Sequence, residues 1–238
     1  TGCLCVRGKA APRYKNFAVD PSWPPRFTKL ELLLMSSDGE EVALAFTDPR
    51  RFGRILLRGP DALASPPLST LAPEPIVAPP QPAAFRAAFS KLSAPVKAVL
   101  LDQNKLVCGV GNWIADEVCY QARVVPHAPC NTLSAEQSDA VHSALIRICQ
   151  EACACEGDST AFPPTWLFHH RWAKQTTGSI ESPLGRIHFD TVGGRTTAFL
   201  PKEQRKGEMV PPKKTTKPPA SSGQATKKSR PASSGKAA

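Results

Sequence analysis

No apolar run in this chain is long enough to cross a bilayer as a helix. No Cys-X-X-Cys pair occurs, so the usual half of a zinc finger is missing, and no cysteine follows Cys155. The eight cysteines, at 3, 5, 108, 119, 130, 149, 153 and 155, are not spaced like a small disulfide scaffold. They read as reduced thiols of an intracellular protein. Cys149 and Cys153 stand four apart in a helical pattern, which is packing spacing. His169 and His170 are adjacent, so they cannot line one helical or strand face as a metal pair, and no metal site is expected. The opening Thr1-Gly2-Cys3 lacks a basic segment followed by an apolar one, which excludes a secretory signal there. Residues 2–6 read like a strand entered partway, so the expectation is a fragment of a longer chain.

What is abundant is positive charge. The 238 residues carry a formal net charge of +10, which suits a polyanionic partner. From Pro201 to Ala238 there are ten Lys/Arg against two Asp/Glu, a net of +8, so the body carries only +2. Any anion site in the body must therefore be a local patch. From Lys202 onward Lys, Pro, Ser, Thr and Ala dominate without apolar periodicity, and residues 202–238 are expected to be a disordered basic tail.

The texture of the body changes along its length. Residues 29–35 and 41–46 are strand candidates joined through Asp38-Gly39, a hairpin signal, and residues 54–58 suggest a third strand. Residues 59–82 are crowded with Pro and Ala and read as an irregular connector. Helical patterns follow over 83–92, 95–102, 112–122 and 134–154. Pro95 suits a first helical turn with Ser93 as its cap, and Ser134 with Gln137 makes a capping box. After Pro163-Pro164, residues 186–190 and 195–200 flank a Gly193-Gly194 turn, which predicts a β-hairpin.

Three stretches carry chemistry. In residues 100–118 an apolar run ends in Asp102-Gln103, and Gly109-Val110-Gly111 turns into a helix opening at Asn112. Two glycines permit positive φ and close approach of a ligand, and the helix N-terminus favours an anion such as phosphate. The bland alternative is an ordinary turn with Asn112 as N-cap. In Asp48-Pro49-Arg50-Arg51-Phe52-Gly53 a tight loop presents two guanidiniums and an aromatic. Such a loop can read a base edge and wedge into a base stack, or it can be a solvated arginine pair over a core Phe. Gly193 to Phe199 offers Arg195 beside a tight turn, as a phosphate contact or a solvent-facing residue. Lys105 and Lys29 are each as compatible with a solvated lysine as with a phosphate contact.

These three stretches, in this order, resemble the formamidopyrimidine-DNA glycosylase / endonuclease VIII family. The match is to Leu-Leu-Asp-Gln then Gly-Val-Gly-Asn with a following Ala and Glu, to the Asp-Pro-Arg-Arg-Phe-Gly loop, and to the glycine turn before Arg195. The finger region lacks cysteine ligands, and Trp166 to Lys174 is similar to the plant and fungal zincless-finger branch. The resemblance implies a multidomain α+β fold. Residues 1–58 would be the C-terminal part of a β-sandwich and 59–82 a linker. Residues 83–162 would be a helix–two-turn–helix module, 163–201 a zincless β-hairpin finger and 202–238 the tail.

It further implies a base-excision-repair glycosylase with abasic-site lyase activity, using Schiff-base chemistry without a cofactor. Arg50 would contact the base left unpaired and Phe52 would be the wedge, with Arg51 structural or phosphate-facing. Gly109, Gly111 and Asn112, with Lys105 and Arg195, would hold phosphates. The partner would be double-stranded DNA carrying an oxidised base or an abasic site, met by a monomer. The family's N-terminal proline nucleophile and its acidic neighbour are not in the sequence, so no catalytic residue is assigned. The tail's short basic clusters suit a nuclear import receptor, and a nuclear location is expected. Two other classes compete: a non-catalytic nucleic-acid binder using the helix–two-turn–helix alone, and a chromatin scaffold bound mainly through its tail.

Overall fold

The structure is a computed structural model that describes residues 2–9, 20–173 and 178–207. Three strands come first: β1 (Cys3–Val6), β2 (Thr28–Met35) and β3 (Glu41–Thr47), in the antiparallel order β1-β3-β2. The β2–β3 hairpin closes as Asp38-Gly39 predicts. Gly39 takes φ +82°, and Ser36 N–H donates to Glu40 O at 2.8 Å.

The register pairs Leu30 with Phe46, Leu32 with Leu44 and Leu34 with Val42, and Leu4 with Phe46 on the other side. Side chains alternate between faces along a strand, so one face is apolar throughout, and Leu4, Leu32, Leu34 and Val42 on it are exposed. On the other face Cys5, Ala43, Ala45 and Thr47 are buried. No strand forms over residues 54–58, and Ile55, Leu56 and Leu57 are exposed. The apolar pattern there is that of a strand, but a strand needs a neighbour with free N–H and C=O groups.

The 59–82 connector holds two 3-10 turns, Ala62–Ala64 and Leu68–Thr70. Its end is pinned: Ala72 N–H donates to Gln103 O, Cys108 N–H to Pro73 O, and Ile76 packs on the main core. The helices are α1 (Pro82–Phe89), α2 (Val96–Leu101), α3 (Asn112–Gln121) and α4 (Ala135–Ala154). Pro95, rather than Ser93, holds the N-cap position of α2. The Ser134–Gln137 capping box of α4 is formed in both directions. Phe85 and Phe89 of α1 stack at 5.0 Å and, with Val96, Leu100, Val118, Leu145 and Ile148, fill the main core. Fully burying each such side chain stabilises by about 1.5–3 kcal/mol.

Residues 162–172 lay an aromatic band on α3. Trp113 sits 5.4 Å from Phe162 and 5.0 Å from Phe168. The last sheet has three strands where a two-stranded hairpin is expected: β4 (Gly178–Ser182), β5 (Gly185–Val192) and β6 (Arg195–Phe199), in that order. Its own core is small, namely Leu167, Ile187, Phe189, Ala198 and Leu200.

The chain is folded past the expected start of disorder at Lys202. Gln204 is buried and donates to Val124 O at 2.8 Å, and Arg205 N–H bonds Arg123 O at 2.8 Å. The rest of the expected tail, 208–238, lies outside the described residues. Among the described residues no helix is long and apolar enough to cross a membrane.

Glu117 of α3 is fully buried and accepts from Phe168 N–H at 2.8 Å and Gln121 Nε2 at 2.8 Å. Burial pushes its carboxyl from 4.5 up to about 7, against those hydrogen bonds. The folded state therefore holds a proton that the unfolded chain has released across about pH 4.5–7. Stability should fall as pH rises through that window, by up to about 3 kcal/mol, and level off above it. Glu117→Gln should flatten this slope. Urea unfolding at pH 5 and pH 8 on both proteins measures it.

Candidate nucleic-acid interface

The loop after β3 is built on a buried carboxylate. Asp48 Oδ2 accepts Gly53 N–H at 2.6 Å, Asp48 O accepts Arg51 N–H at 3.1 Å, and Asp48 N–H donates to Phe27 O. The Gly53 N–H, helped by the Lys29 ammonium 3.9 Å away, holds the Asp48 carboxyl below the ordinary aspartate range. A Cβ on Gly53 would lie 3.0 Å from Asp48 Oδ2 and 3.2 Å from the Phe46 ring, so a larger residue would press on both. Lys29 reaches this loop because the β2–β3 register shifts between Thr28 and Leu30, and it donates to Gly53 O at 3.2 Å. A bulge re-aims a side chain in this way. Lys29 thus supports the loop.

Arg50, Arg51 and Phe52 project from this closed ring. Arg51 takes φ +57°. Phe52 is 79% exposed, and the Arg50 guanidinium lies 5.5 Å from its ring centre. Phe52 is therefore not a core residue. The fold holds it out in water on a loop fixed from beneath.

The turn between α2 and α3 is stapled by Gln103, a residue of the Leu-Leu-Asp-Gln match to which the sequence alone gave no role. Its Nε2 donates to Leu101 O at 2.8 Å and Val110 O at 3.1 Å, and its Oε1 accepts Gly109 N–H at 2.7 Å. Gly109 has φ +80°, whereas Gly111 has an extended φ of −95°. Only the first glycine needs the left-handed region. A Cβ on either would meet nothing within 4 Å, so both face open space. Gly111 is the N-cap and Asn112 the first helical residue, which corrects the reading of Asn112 as the cap. The first N–H groups of a helix have no intrahelical acceptor, and among the described residues no side chain caps those of α3. Lys105 stands on this turn with its amine 3.1 Å from Asp102 Oδ2; the Asn104 N–H, helped by this ammonium, holds the Asp102 carboxyl below the ordinary aspartate range.

Freed from capping, the Asn112 side chain crosses to β6. Its Nδ2 donates to Thr196 O at 3.0 Å. Lys97 of α2 donates to the same carbonyl at 2.9 Å. The Gly193-Gly194 turn does not project freely, because a Cβ on Gly193 (φ +60°) would lie 3.2 Å from Ala98 Cα. The turn is seated on α2, and Arg195 is exposed just beyond it. Gly109, Gly111, Asn112, Lys105 and Arg195 are thus gathered about one helix N-terminus. Arg50 and Phe52 stand on the loop of the first sheet.

Sequence reading gave no role to Asp48, Lys97, Asp116 or Arg171. The available signal was a lysine inside the apolar Val96–Leu101 helix. Among the described residues no group of three or more His, Cys, Asp or Glu is arranged to hold a metal. A cavity of about 520 Å³ lined by Arg123, Glu136, Lys202, Arg205 and Lys206 lies at the C-terminal end of α3, away from Asn112.

Residues 71–163 match the formamidopyrimidine-DNA glycosylase H2TH domain. The class is therefore that of proteins built on this helical module. The formamidopyrimidine-DNA glycosylase of Arabidopsis thaliana is 38% identical over 207 residues, 86% of this chain and 51% of that one. The Thermus thermophilus enzyme is 35% identical over 77% of this chain and 70% of its own length. Crystal structures agree: the Thermus thermophilus MutM (Fpg) protein superposes with a TM-score of 0.62 at 29% identity, covering 86% of this chain and 76% of that one. The Lactococcus lactis Fpg bound to DNA containing an abasic site gives 0.63 at 28%, covering 86% and 72%. The chain belongs to the formamidopyrimidine-DNA glycosylase family, and it spans about half the length of the Arabidopsis relative.

If this face meets the phosphates of a duplex, Arg195→Ala should weaken binding to all sequences alike and lower the slope of log K against log salt by about 0.9, the value of one phosphate contact. Asn112→Ala should weaken all sequences alike as well, through the loss of its hold on Thr196. Fluorescence anisotropy over a salt series measures both. Unchanged binding in both variants would place the DNA face elsewhere.

Proposed function

We propose that this chain is the recognition part of a base-excision-repair DNA glycosylase with associated abasic-site lyase activity. One observation carries the reading most strongly: Thr196 O is held by both Asn112 and Lys97, which fixes exposed Arg195 beside the open N-terminus of α3. A cation and a set of unpaired N–H groups side by side suit two phosphates of one backbone. The names of the relatives, and the abasic-site DNA held by the Lactococcus lactis structure, agree with this reading.

In the proposed reaction the damaged base is turned out of the stack. Arg50 and Phe52 occupy the space it leaves, and Arg195 with the backbone N–H groups at the start of α3 holds the flanking phosphates, while the Asn112 side chain holds β6 in place. By family resemblance an N-terminal proline amine, outside these 238 residues, attacks C1′ of the sugar. The C1′–N amine bond forms as the base leaves with its bonding electrons and takes up a proton, and opening of the sugar ring gives a Schiff base. Elimination of the 3′ phosphate then cuts the strand. No cofactor enters this scheme. The lack of cysteine in the finger supports the zincless branch.

The exposure of Phe52 on a pinned loop favours this reading over a plain phosphate binder, which has no use for a wedge. The test is binding to duplexes with and without an abasic-site analogue. The wild-type chain should prefer the abasic duplex. Phe52→Ala should lose about tenfold on it, within the roughly 1–3 kcal/mol of a base–aromatic stack, and much less on intact duplex. Equal losses on the two would remove the wedge.

We further propose nuclear import through Lys213-Lys214, Lys217 and Lys227-Lys228-Ser229-Arg230, which lie outside the described residues. Because 202–207 is part of the fold, the deletion to make is 208–238. In a fusion too large to diffuse passively, it should abolish nuclear accumulation under the microscope. It should also reduce non-specific DNA affinity, less so at high salt.

A further inference from the structure

We propose that Lys97 is a positioning residue that sets the place of Arg195 through Thr197, so that the finger and the α3 N-terminus meet DNA as one rigid unit. This rests on the DNA-binding reading above. Lys97 side-chain exposure is 0%, and three oxygens surround its ammonium, one as an ion-pair partner and two as hydrogen-bond acceptors. They are Asp116 Oδ1 at 2.7 Å, Thr196 O at 2.9 Å and Thr197 Oγ1 at 2.7 Å. Thr197 Oγ1 in turn donates to Arg195 O at 3.1 Å. Lys97 is thus two hydrogen bonds from the backbone of the exposed arginine. Through Thr196 O it also shares an acceptor with Asn112.

Charge balance does not explain this lysine. Asp116 Oδ2 already accepts Arg171 Nε at 3.1 Å and Nη2 at 2.7 Å, a neutral pair. Lys97 adds a second buried cation to a single carboxylate. Burial pushes its amine below the ordinary lysine range, and Asp116 only partly restores it. An apolar side chain of similar length would avoid that desolvation. What it would not supply is three N–H groups reaching α3, Thr196 and Thr197 at once. The costly lysine is therefore best accounted for by geometry.

The test uses the full chain, duplex DNA and a salt series, with Lys97→Met, Thr197→Val, Arg195→Ala and the doubles with Arg195→Ala. Thr197→Val keeps every charge and removes only the hydroxyl relay. Unfolding is followed in parallel, and if Lys97→Met does not fold, Thr197→Val decides. Lys97→Met and Thr197→Val should each weaken binding at least fivefold at low salt. They should also lower the salt slope by about 0.9, one phosphate contact. Adding Arg195→Ala to either should then change neither quantity further.

A merely structural role would reduce the folded fraction and leave the slope, and the full effect of Arg195→Ala, intact. That result in the folded variants overturns the positioning role while the DNA-binding reading stands. A wild-type chain that does not bind duplex DNA overturns both.

Discussion

The carboxylate of Asp116 is the point on which the functional half of this protein depends. It is fully buried, and a buried charge is tolerable only when fully partnered. Its partners come from three different places: Lys97 on α2, Arg171 within the aromatic band, and the N–H of Ala198 on β6 at 3.1 Å. None of these contacts is local in sequence except to its own element. The carboxylate can be satisfied only when the helices, the band and the last sheet have all arrived. That sheet has a small apolar core of its own, so its attachment leans on this polar junction more than a larger sheet would.

The same construction recurs under the loop that carries Phe52. There the buried carboxylate is Asp48, the backbone donor is Gly53 and the lysine is Lys29. In both places a buried carboxylate lies beneath an exposed side chain, Arg195 in one and Phe52 in the other. This separation has a physical reason. An exposed side chain loses rotamer freedom when it binds, and a fixed backbone beneath it limits how much more must be ordered at that moment. Holding Phe52 in water is unfavourable in the free protein, and the deficit is recovered only if the ring is covered by a partner.

The first sheet shows where pattern reading stops. Residues 54–58 have the composition of a strand, yet they form none, because pairing requires an open sheet edge at the right place. Residues 202–207 have the composition of a tail, yet Gln204 is buried between Leu200 and Val124. Both outcomes were set by what lay opposite in space. Composition has no access to that.

Local signals in the sequence were sufficient for the β2–β3 hairpin at Asp38-Gly39, the Ser134 capping box, the glycine turn into α3 and the Gly193-Gly194 turn. Each is decided by backbone preference and hydrogen bonds within a few residues. The candidate surface residues were legible for a related reason: an arginine beside a turn or an aromatic in a tight loop is conspicuous without a fold. The tertiary structure alone decided which residues hold them. Lys97 and Thr197 are 100 residues apart, and Asp116 and Arg171 are 55. In sequence each is an ordinary charged or polar side chain, and it acquires a role only when burial removes water and leaves a single set of partners within reach.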